Sequence, residues 1–193
     1  MYTTVLVLFG LNYILIMSLP FIYFVRRERG LSVMWCVTAV PFVLLPCFMI
    51  LRNFGVVRPL VVAESMLGIA LAALSALSSV MSLGLVAWAR GAHLDRPPQW
   101  HQEQDLPTSL ATNGPYARMR HPFYSAYLMM FLAAAAIMPN VGTMGVLIYA
   151  AIVLNHTAAR EERRLRASRF GEQYHAYIAQ SGRFVPAISR RSV

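Results

Sequence analysis

The stretch Asn113-Gly114-Pro115-Tyr116-Ala117-Arg118-Met119-Arg120-His121-Pro122-Phe123-Tyr124 joins a polar loop to an apolar helix. Asn-Gly-Pro is a strong turn sequence, because glycine tolerates positive φ and proline fixes its own φ. Pro122 suits the first position of a helix, where its missing N–H costs nothing, and it restricts His121 to an extended backbone. The pattern therefore predicts a helix that begins near Pro122, with N–H groups and a positive dipole end that can bind an anionic group of a ligand.

The composition of the chain points to a membrane. Of its 193 residues, 58% are hydrophobic, and the mean hydropathy is +0.53, which is too apolar for an ordinary soluble domain. The net charge of +9 would suggest a nucleic-acid partner in a soluble protein, but here the basic residues flank apolar runs. We therefore predict a polytopic membrane protein with no nucleic-acid partner.

Apolar runs predict about five membrane-crossing helices, and the third run is longer than the ~20 residues that a bilayer core requires. The runs are residues 2–25, 31–51, 60–89, 123–138 and 141–155. The last two surround Pro139-Asn140 and predict a helical hairpin with short arms. Residues 158–180 predict an amphipathic helix on the cytoplasmic membrane surface. The predicted fold class is thus all-α, with residues 1–105 as an N-terminal region of three membrane helices and an interfacial loop.

An antiparallel hairpin returns the chain to the side of the membrane from which it started. It therefore predicts that Arg120-His121 lies near Glu161-Glu162, although about forty residues separate the two pairs. All 17 basic residues are arginine, and fifteen of them fall on the inner side if the N-terminus faces outward, as the positive-inside rule requires. Both polar pairs are then expected to face the cytoplasm, and the predicted location is a bacterial or archaeal inner membrane.

Six ordered features occupy the second half of the chain. They are Gly-Pro-Tyr (114–116), Arg-His-Pro-x-Tyr (120–124), the apolar hairpin, Glu-Glu-x-x-Leu (161–165), Phe-Gly-x-x-Tyr (170–174) and Arg-Phe-x-Pro (183–186). This order resembles the isoprenylcysteine carboxyl methyltransferase family of integral-membrane, S-adenosylmethionine-dependent enzymes, and phospholipid and small-thiol methyltransferases share much of it. The resemblance covers roughly residues 106–187 and implies a methyltransferase-like catalytic region at residues 106–193.

The resemblance implies methyl transfer from S-adenosylmethionine, in which the protein holds donor and acceptor in line and manages charge. The catalytic candidates are Arg120, His121 and Tyr124, and no metal ligand is assigned. The donor-binding candidates suit the donor carboxylate, its ammonium and ribose hydroxyls, or its adenine. The candidates for the carboxylate are Gly114, Pro115, Tyr116 and His121. Those for the ammonium and ribose hydroxyls are Glu161 and Glu162, and those for the adenine are Phe184 and Pro186.

The acceptor is implied only by class. The resemblance implies a carboxylate, thiol or amine on an apolar carrier, with membrane lipids as further partners. A lipophilic acceptor can enter sideways from the bilayer while the polar donor arrives from the cytoplasm. The sequence leaves the three acceptor groups as alternatives and does not specify an oligomeric state.

Several alternatives stay open on the sequence. Arg120 and His121 also suit the membrane interface, as a headgroup anchor and a hydrogen-bonding residue, and Tyr124 also suits the aromatic belt. Membrane sterol reductases, which use NADPH, resemble the C-terminal architecture, although they tend to carry Asn-Pro in place of His121-Pro122 and lack the Glu161-Glu162 pair. A non-catalytic protein of the same fold is favoured by residues 94–101, which lack the Gly and Ser of the family's Leu-Gly-x-x-Trp-Ser run. The glutamate pair also has a purely structural alternative, because acids in the first turn of a helix are stabilised by its dipole and by nearby arginines.

Overall fold

The computed structural model describes residues 2–24, 33–92 and 110–188, and it is helical without β-strands over these ranges. Its six α-helices are α1 (Tyr2–Phe24), α2 (Val33–Asn53), α3 (Met66–Gly91), α4 (Pro122–Ile137), α5 (Val141–Arg166) and α6 (Gly171–Gln180). A four-residue 3₁₀ turn, Gly114–Ala117, precedes α4. The predicted all-α fold class is confirmed.

Among the described residues, three helices are long and apolar enough to cross a membrane, and they are Cys36–Asn53 within α2, Met66–Gly91 and Val141–Arg166. Two shorter apolar stretches, Tyr2–Ser18 within α1 and Pro122–Ile137 (α4), accompany them. Large apolar side chains such as Leu77 and Trp88 of α3 are more than half exposed. An apolar exterior of this kind suits lipid rather than water, so the fold is that of an integral membrane protein.

Hydrogen bonds between helix termini show which parts of the chain meet at each end of the helical bundle. At the turn end, the hydroxyl of Tyr2 donates a hydrogen bond to the carbonyl of Ile137 (2.9 Å) and accepts one from Arg52 (3.0 Å). At the same end, the amide of Leu60 donates to the carbonyl of Pro139 (2.7 Å). The start of α1, the end of α2 and the α4–α5 turn therefore lie together. The start of α4 and the end of α5 lie at the opposite end, the site end.

Asn140 builds the turn of the hairpin. Its side chain accepts a hydrogen bond from the amide of Thr143 (3.0 Å), and the Thr143 hydroxyl accepts one from the amide of Asn140 (3.4 Å). This capping box satisfies N–H groups at the start of α5 that have no partner within the helix. Both side chains are almost fully buried, so the polar turn is sheltered by the protein. The predicted hairpin is confirmed.

Small side chains pack α3 against α4. On α3, Ser75, Ser79 and Ser82 are completely buried, and α4 carries a run of alanines. The hydroxyl of Ser82 donates to the carbonyl of Ala126 in α4 (2.8 Å). Small residues allow the backbones of membrane helices to approach closely. Helices from residues 1–105 and from residues 106–193 thus share one core, and the division of the chain at residue 105 stays a prediction.

α3 begins later than predicted. The apolar run indicates a helix from Leu60, whereas the helix begins at Met66. Ser65 is the N-cap, and its hydroxyl accepts a hydrogen bond from the amide of Gly68 (3.0 Å). Hydropathy reports which residues suit a membrane, but a capping side chain determines where the helical backbone starts. The five residues before the cap, 60–64, therefore form a connection.

The predicted single helix over residues 158–180 is wrong. α5 extends into this region and ends at Arg166, and α6 follows from Gly171 as a separate helix. Between them, the amide of Ser168 donates to the carbonyl of Leu165 (3.2 Å), and the Ser168 hydroxyl accepts from the amide of Phe170 (3.2 Å). Serine hydroxyls compete in this way with the regular helical pattern of hydrogen bonds. The amphipathic pattern therefore spans a break that it does not reveal.

This correction changes the environment of Glu161 and Glu162. They lie near the end of α5, ahead of a last turn that carries three arginines, and not in the first turn of a helix. The helix dipole stabilises acids at an N-terminus and disfavours them near a C-terminus. Stabilisation by a helix start is therefore excluded as the reason for this pair, and tertiary contacts must hold it.

Candidate active site

The chain enters α4 at Pro122, as the sequence predicts. It arrives through the 3₁₀ turn, where Gly114 has a φ of 56°, a left-handed backbone that favours glycine. A side chain at Gly114 would also press on the end of α3, because an added Cβ would lie 3.1 Å from Cβ of Ala92. The turn and Pro122 together place His121 at the N-cap of α4.

Residues 181–187, the tail segment, run alongside the start of α4. The amides of Arg120 and His121 donate hydrogen bonds to the tail carbonyls of Gly182 (2.8 Å) and Arg183 (3.1 Å). These bonds satisfy backbone donors just before a helix begins, where no helical partner exists. They also bring the side chains of the tail segment to the site end of the bundle.

Glu162 lies deep in the site, and its side chain is 2% exposed. Its Oε1 accepts hydrogen bonds from Nε of Arg120 (3.0 Å) and Nε of Arg183 (3.0 Å), and its Oε2 accepts one from Nη2 of Arg183 (2.8 Å). Arg183 therefore holds the carboxylate in a two-bond fork, and these bonds raise the pKa of the Arg183 guanidinium. Compensation by two guanidinium groups explains how a carboxylate can be buried here.

His121 lies between the two glutamates. Its Nδ1 is 3.5 Å from Oε2 of Glu161, and its Nε2 is 3.3 Å from Oε1 of Glu162. The ring stacks on Tyr124 with an interplanar angle of 1°, and the Tyr124 hydroxyl donates to Oε1 of Glu161 (2.6 Å). His121 Nε2 is buried and makes no hydrogen bond. The predicted approach of Arg120-His121 to Glu161-Glu162 is confirmed.

Arg120, His121, Glu161 and Glu162 form a charged cluster. Three further tyrosines lie close to it. The hydroxyl of Tyr177 donates to the carbonyl of Tyr116 (2.6 Å). Burial raises the pKa of Tyr177 to about 12 and also raises the pKa values of Tyr116 and Tyr174. The nearby Tyr177 and Glu161 raise the pKa of Tyr116 further. All three phenols therefore stay neutral at physiological pH and act as hydrogen-bonding groups, not as anions.

The middle of the chain, residues 60–173, matches the family model described as phospholipid methyltransferase. The match spans more than half of the chain. The chain belongs to the phospholipid methyltransferase family. This family of integral-membrane methyltransferases includes the isoprenylcysteine carboxyl methyltransferases, so the resemblance inferred from the ordered motifs is confirmed. Comparisons with curated proteins and with solved structures found no match.

In this phospholipid methyltransferase family member, five of the predicted site residues form one cluster, and they are Arg120, His121, Tyr124, Glu161 and Glu162. The ring of Phe184 lies beside the cluster, with its centroid 6.0 Å from that of His121. Pro115 is buried within the 3₁₀ turn, whereas Pro186 is exposed. Residues 94–101, which depart from the family's usual motif, lie outside the described residues.

Arg183 received no role from the sequence, yet it makes two of the three arginine hydrogen bonds to Glu162. The signal was its place in the Arg-Phe-x-Pro motif, of which only Phe184 and Pro186 were assigned. Arginines are numerous in this chain, and 21 residues separate this one from its partner, so no local pattern indicates the pairing. The phospholipid methyltransferase match ends at residue 173, before the tail segment.

Proposed function

We propose that this protein transfers a methyl group from S-adenosylmethionine to a lipophilic acceptor that carries a carboxylate, thiol or amine. Membership of a family of membrane methyltransferases supports the reaction class. The observation that carries the proposal is the convergence of Arg120-His121 with Glu161-Glu162. Glu162 lies 3.0 Å from Arg120 and 3.3 Å from His121, and Glu161 lies 3.5 Å from His121. A cluster with charges of both signs fits the amino-acid part of the donor, which carries a carboxylate and an ammonium.

A buried nitrogen supports a ligand site at this cluster. His121 Nε2 lies 3.3 Å from Oε1 of Glu162 without the geometry of a hydrogen bond, although buried polar groups are nearly always paired. A polar atom of a ligand would satisfy this nitrogen. Its position beside Arg120, at the N-cap of the 16-residue α4, suits the carboxylate of the donor, because both the guanidinium and the helix dipole attract an anion.

The two glutamates have different roles in this proposal. Glu162 already accepts three hydrogen bonds from Arg120 and Arg183, so its charge is balanced within the protein. The side chain of Glu161 is 31% exposed, compared with 2% for Glu162, and it can reach a ligand. Glu161 is therefore assigned to the ammonium or ribose hydroxyls of the donor, and Glu162 to internal charge balance.

The chain positions reactants and handles a proton. When bound, S-adenosylmethionine supplies a methyl group on a positively charged sulfur. For a thiol or amine acceptor, we assign Nδ1 of His121 to take the proton while Nε2–H faces the donor carboxylate, and Glu161, 3.5 Å from Nδ1, then stabilises the positive charge on the ring. A carboxylate acceptor requires no such transfer. Tyr124 orients Glu161 through its 2.6 Å hydrogen bond.

The remaining donor contacts are assigned to the border of the cluster. The aromatic ring of Phe184, 6.0 Å from that of His121, suits the adenine, and Pro186 follows it in the tail segment. The 3₁₀ turn Gly114–Ala117 is assigned to the carboxylate side of the donor. These assignments follow the order of the family motifs and the position of the turn and the tail segment at the site end.

The proposed orientation places the site end in the cytoplasm. Fifteen of the 17 arginines lie on that side when the N-terminus faces outward. The polar donor is made in the cytoplasm and reaches the site from there, while a lipophilic acceptor reaches it from the bilayer. The same orientation agrees with the proposed location in a bacterial or archaeal inner membrane.

Titration calorimetry of the detergent-purified protein is expected to show binding of S-adenosylmethionine and S-adenosylhomocysteine, but not of NADPH. At about 100 times its dissociation constant, a ligand adds about 2.7 kcal/mol to the apparent stability. Thermal denaturation detects the same binding as a raised melting temperature. Binding of NADPH without a response to either sulfur compound would instead support the reductase function.

Single cysteines test the orientation in a background with Cys36→Ser and Cys47→Ser. Thr112→Cys and Ala167→Cys introduce exposed thiols at the site end, and both are expected to react with an impermeant reagent only after the cytoplasmic face is opened. Asn53→Cys, at the turn end, is expected to react in intact cells. Labelling of the first two positions from opposite sides of the membrane contradicts the proposed site.

A further inference from the structure

The tail segment joins the charged cluster through its backbone and one side chain. Two of its carbonyls accept hydrogen bonds from the amides of Arg120 and His121. The guanidinium of Arg183 contacts both oxygens of Glu162 (3.0 and 2.8 Å) and donates through Nη1 to Oδ1 of Asn155 (2.8 Å). One segment outside the family match therefore contacts two catalytic candidates and their counter-ion.

The backbone of the tail segment determines where Arg183 lies. Gly182 occupies a turn so tight that an added Cβ would collide with the carbonyl oxygen of Val185, so only glycine fits. In the first turn of α4, the hydroxyl of Ser125 donates to the carbonyl of Phe184 (2.7 Å). The position of Arg183 thus depends on contacts with the start of α4 and not on its ion pair alone.

Arg183 determines the charge that the cluster presents to a ligand. Without it, the carboxylate of Glu162 would be balanced mainly by Arg120 and His121, the two groups assigned to the donor carboxylate, because the guanidinium of Arg166 lies 3.9 Å away on a side chain that is 42% exposed and screened by water. With Arg183 in place, a second guanidinium compensates Glu162. The Glu162 and Arg120 side chains are 2% and 10% exposed, so water screens these interactions weakly.

We propose that Arg183 is a positioning residue for the methyl donor, because it balances the charge of Glu162 so that Arg120 and His121 remain able to bind the donor carboxylate. This inference rests on the proposed function. Arg183 acts through Glu162 and is not assigned to the reacting atoms. Replacing it with a neutral residue makes the site more negative by one charge and shifts its preference toward more positive ligands.

S-adenosylmethionine and S-adenosylhomocysteine distinguish this role from a purely structural one, because they differ by one positive charge at sulfur. Arg183→Gln is expected to weaken binding of S-adenosylhomocysteine about ten- to a hundredfold. The loss of affinity for S-adenosylmethionine is expected to be about three- to tenfold smaller, since its sulfonium is attracted by the uncompensated carboxylate of Glu162. Titration calorimetry measures both affinities, and loss of packing alone would lower them equally.

Two further variants test whether Arg183 acts through Glu162. The double variant Arg183→Gln with Glu162→Gln removes both charges, and it is expected to bind S-adenosylhomocysteine more tightly than Arg183→Gln alone. Arg183→Lys keeps the charge but not the fork, and it is expected to lower both affinities while keeping their ratio. Arg163→Gln, an exposed position next to Glu162 in the chain, is the control and is expected to change both affinities by less than about twofold.

Equal losses for the two ligands in Arg183→Gln, or no rescue in the double variant, overturn the inference. Wild-type protein that binds neither ligand overturns the proposed function instead. Should Arg183→Gln not fold, Glu162→Gln is the reciprocal test, because loss of the negative charge is expected to shift the ratio of affinities toward S-adenosylhomocysteine. An unchanged ratio in Glu162→Gln contradicts the inference.

Discussion

Glu162→Ala is expected to lower the free energy of unfolding by about 3–5 kcal/mol, the range seen when one partner of a buried ion pair is removed. The variant leaves the guanidinium groups of Arg120 and Arg183 without the carboxylate that accepts three of their hydrogen bonds. Titration with denaturing detergent, followed by intrinsic fluorescence, measures the change. Glu162→Gln keeps the shape and is expected to lie between wild type and Glu162→Ala.

Glu172→Ala is the matched control for stability. Glu172 is exposed in the first turn of α6, so its removal is expected to change the free energy of unfolding by no more than about 0.5 kcal/mol. Similar small changes for Glu162→Ala and Glu172→Ala would show that Glu162 does not hold the start of α4 and the tail segment together.

Glu161→Ala is expected to weaken binding of S-adenosylmethionine about ten- to a hundredfold, because one charge-assisted hydrogen bond contributes about 1.5–3 kcal/mol. Its effect on stability is expected to be smaller than that of Glu162→Ala, since its side chain is 31% exposed. The two neighbouring glutamates are thus expected to differ in their effects. Loss of Glu161 mainly lowers donor affinity, and loss of Glu162 mainly lowers the free energy of unfolding. Calorimetry and thermal denaturation on the same samples measure the two effects.

The same exposed control applies to donor binding. Glu172→Ala removes an acid from the site end of the bundle without touching the charged cluster, and donor affinity is expected to stay within about twofold of wild type. If Glu161→Ala binds the donor as tightly as this control, the assignment of Glu161 to the donor is wrong. The family membership and the fold are unaffected by that result.

Local chemistry explains which parts of the site could be predicted. The start of α4 at Pro122 follows from the geometry of proline, and the meeting of Arg120-His121 with Glu161-Glu162 follows from the return path of a hairpin. The break between α5 and α6 was missed, because apolar residues continue at helical spacing through a serine that ends the helix by its own hydrogen bonds. The late start of α3 was missed because a capping hydroxyl is a weak signal inside an apolar run.

By itself, the sequence determined the membrane class, the hairpin and the pair of polar clusters, since hydropathy, proline geometry and motif order act over short stretches of chain. Only the tertiary structure decided that Glu162 is buried while Glu161 is partly exposed, and that Arg183 balances Glu162. Adjacent residues of one helix face different directions, and the tail segment reaches Glu162 through backbone contacts with the start of α4. Such contacts depend on how α4, α5 and the tail segment pack, which no local pattern in the chain encodes.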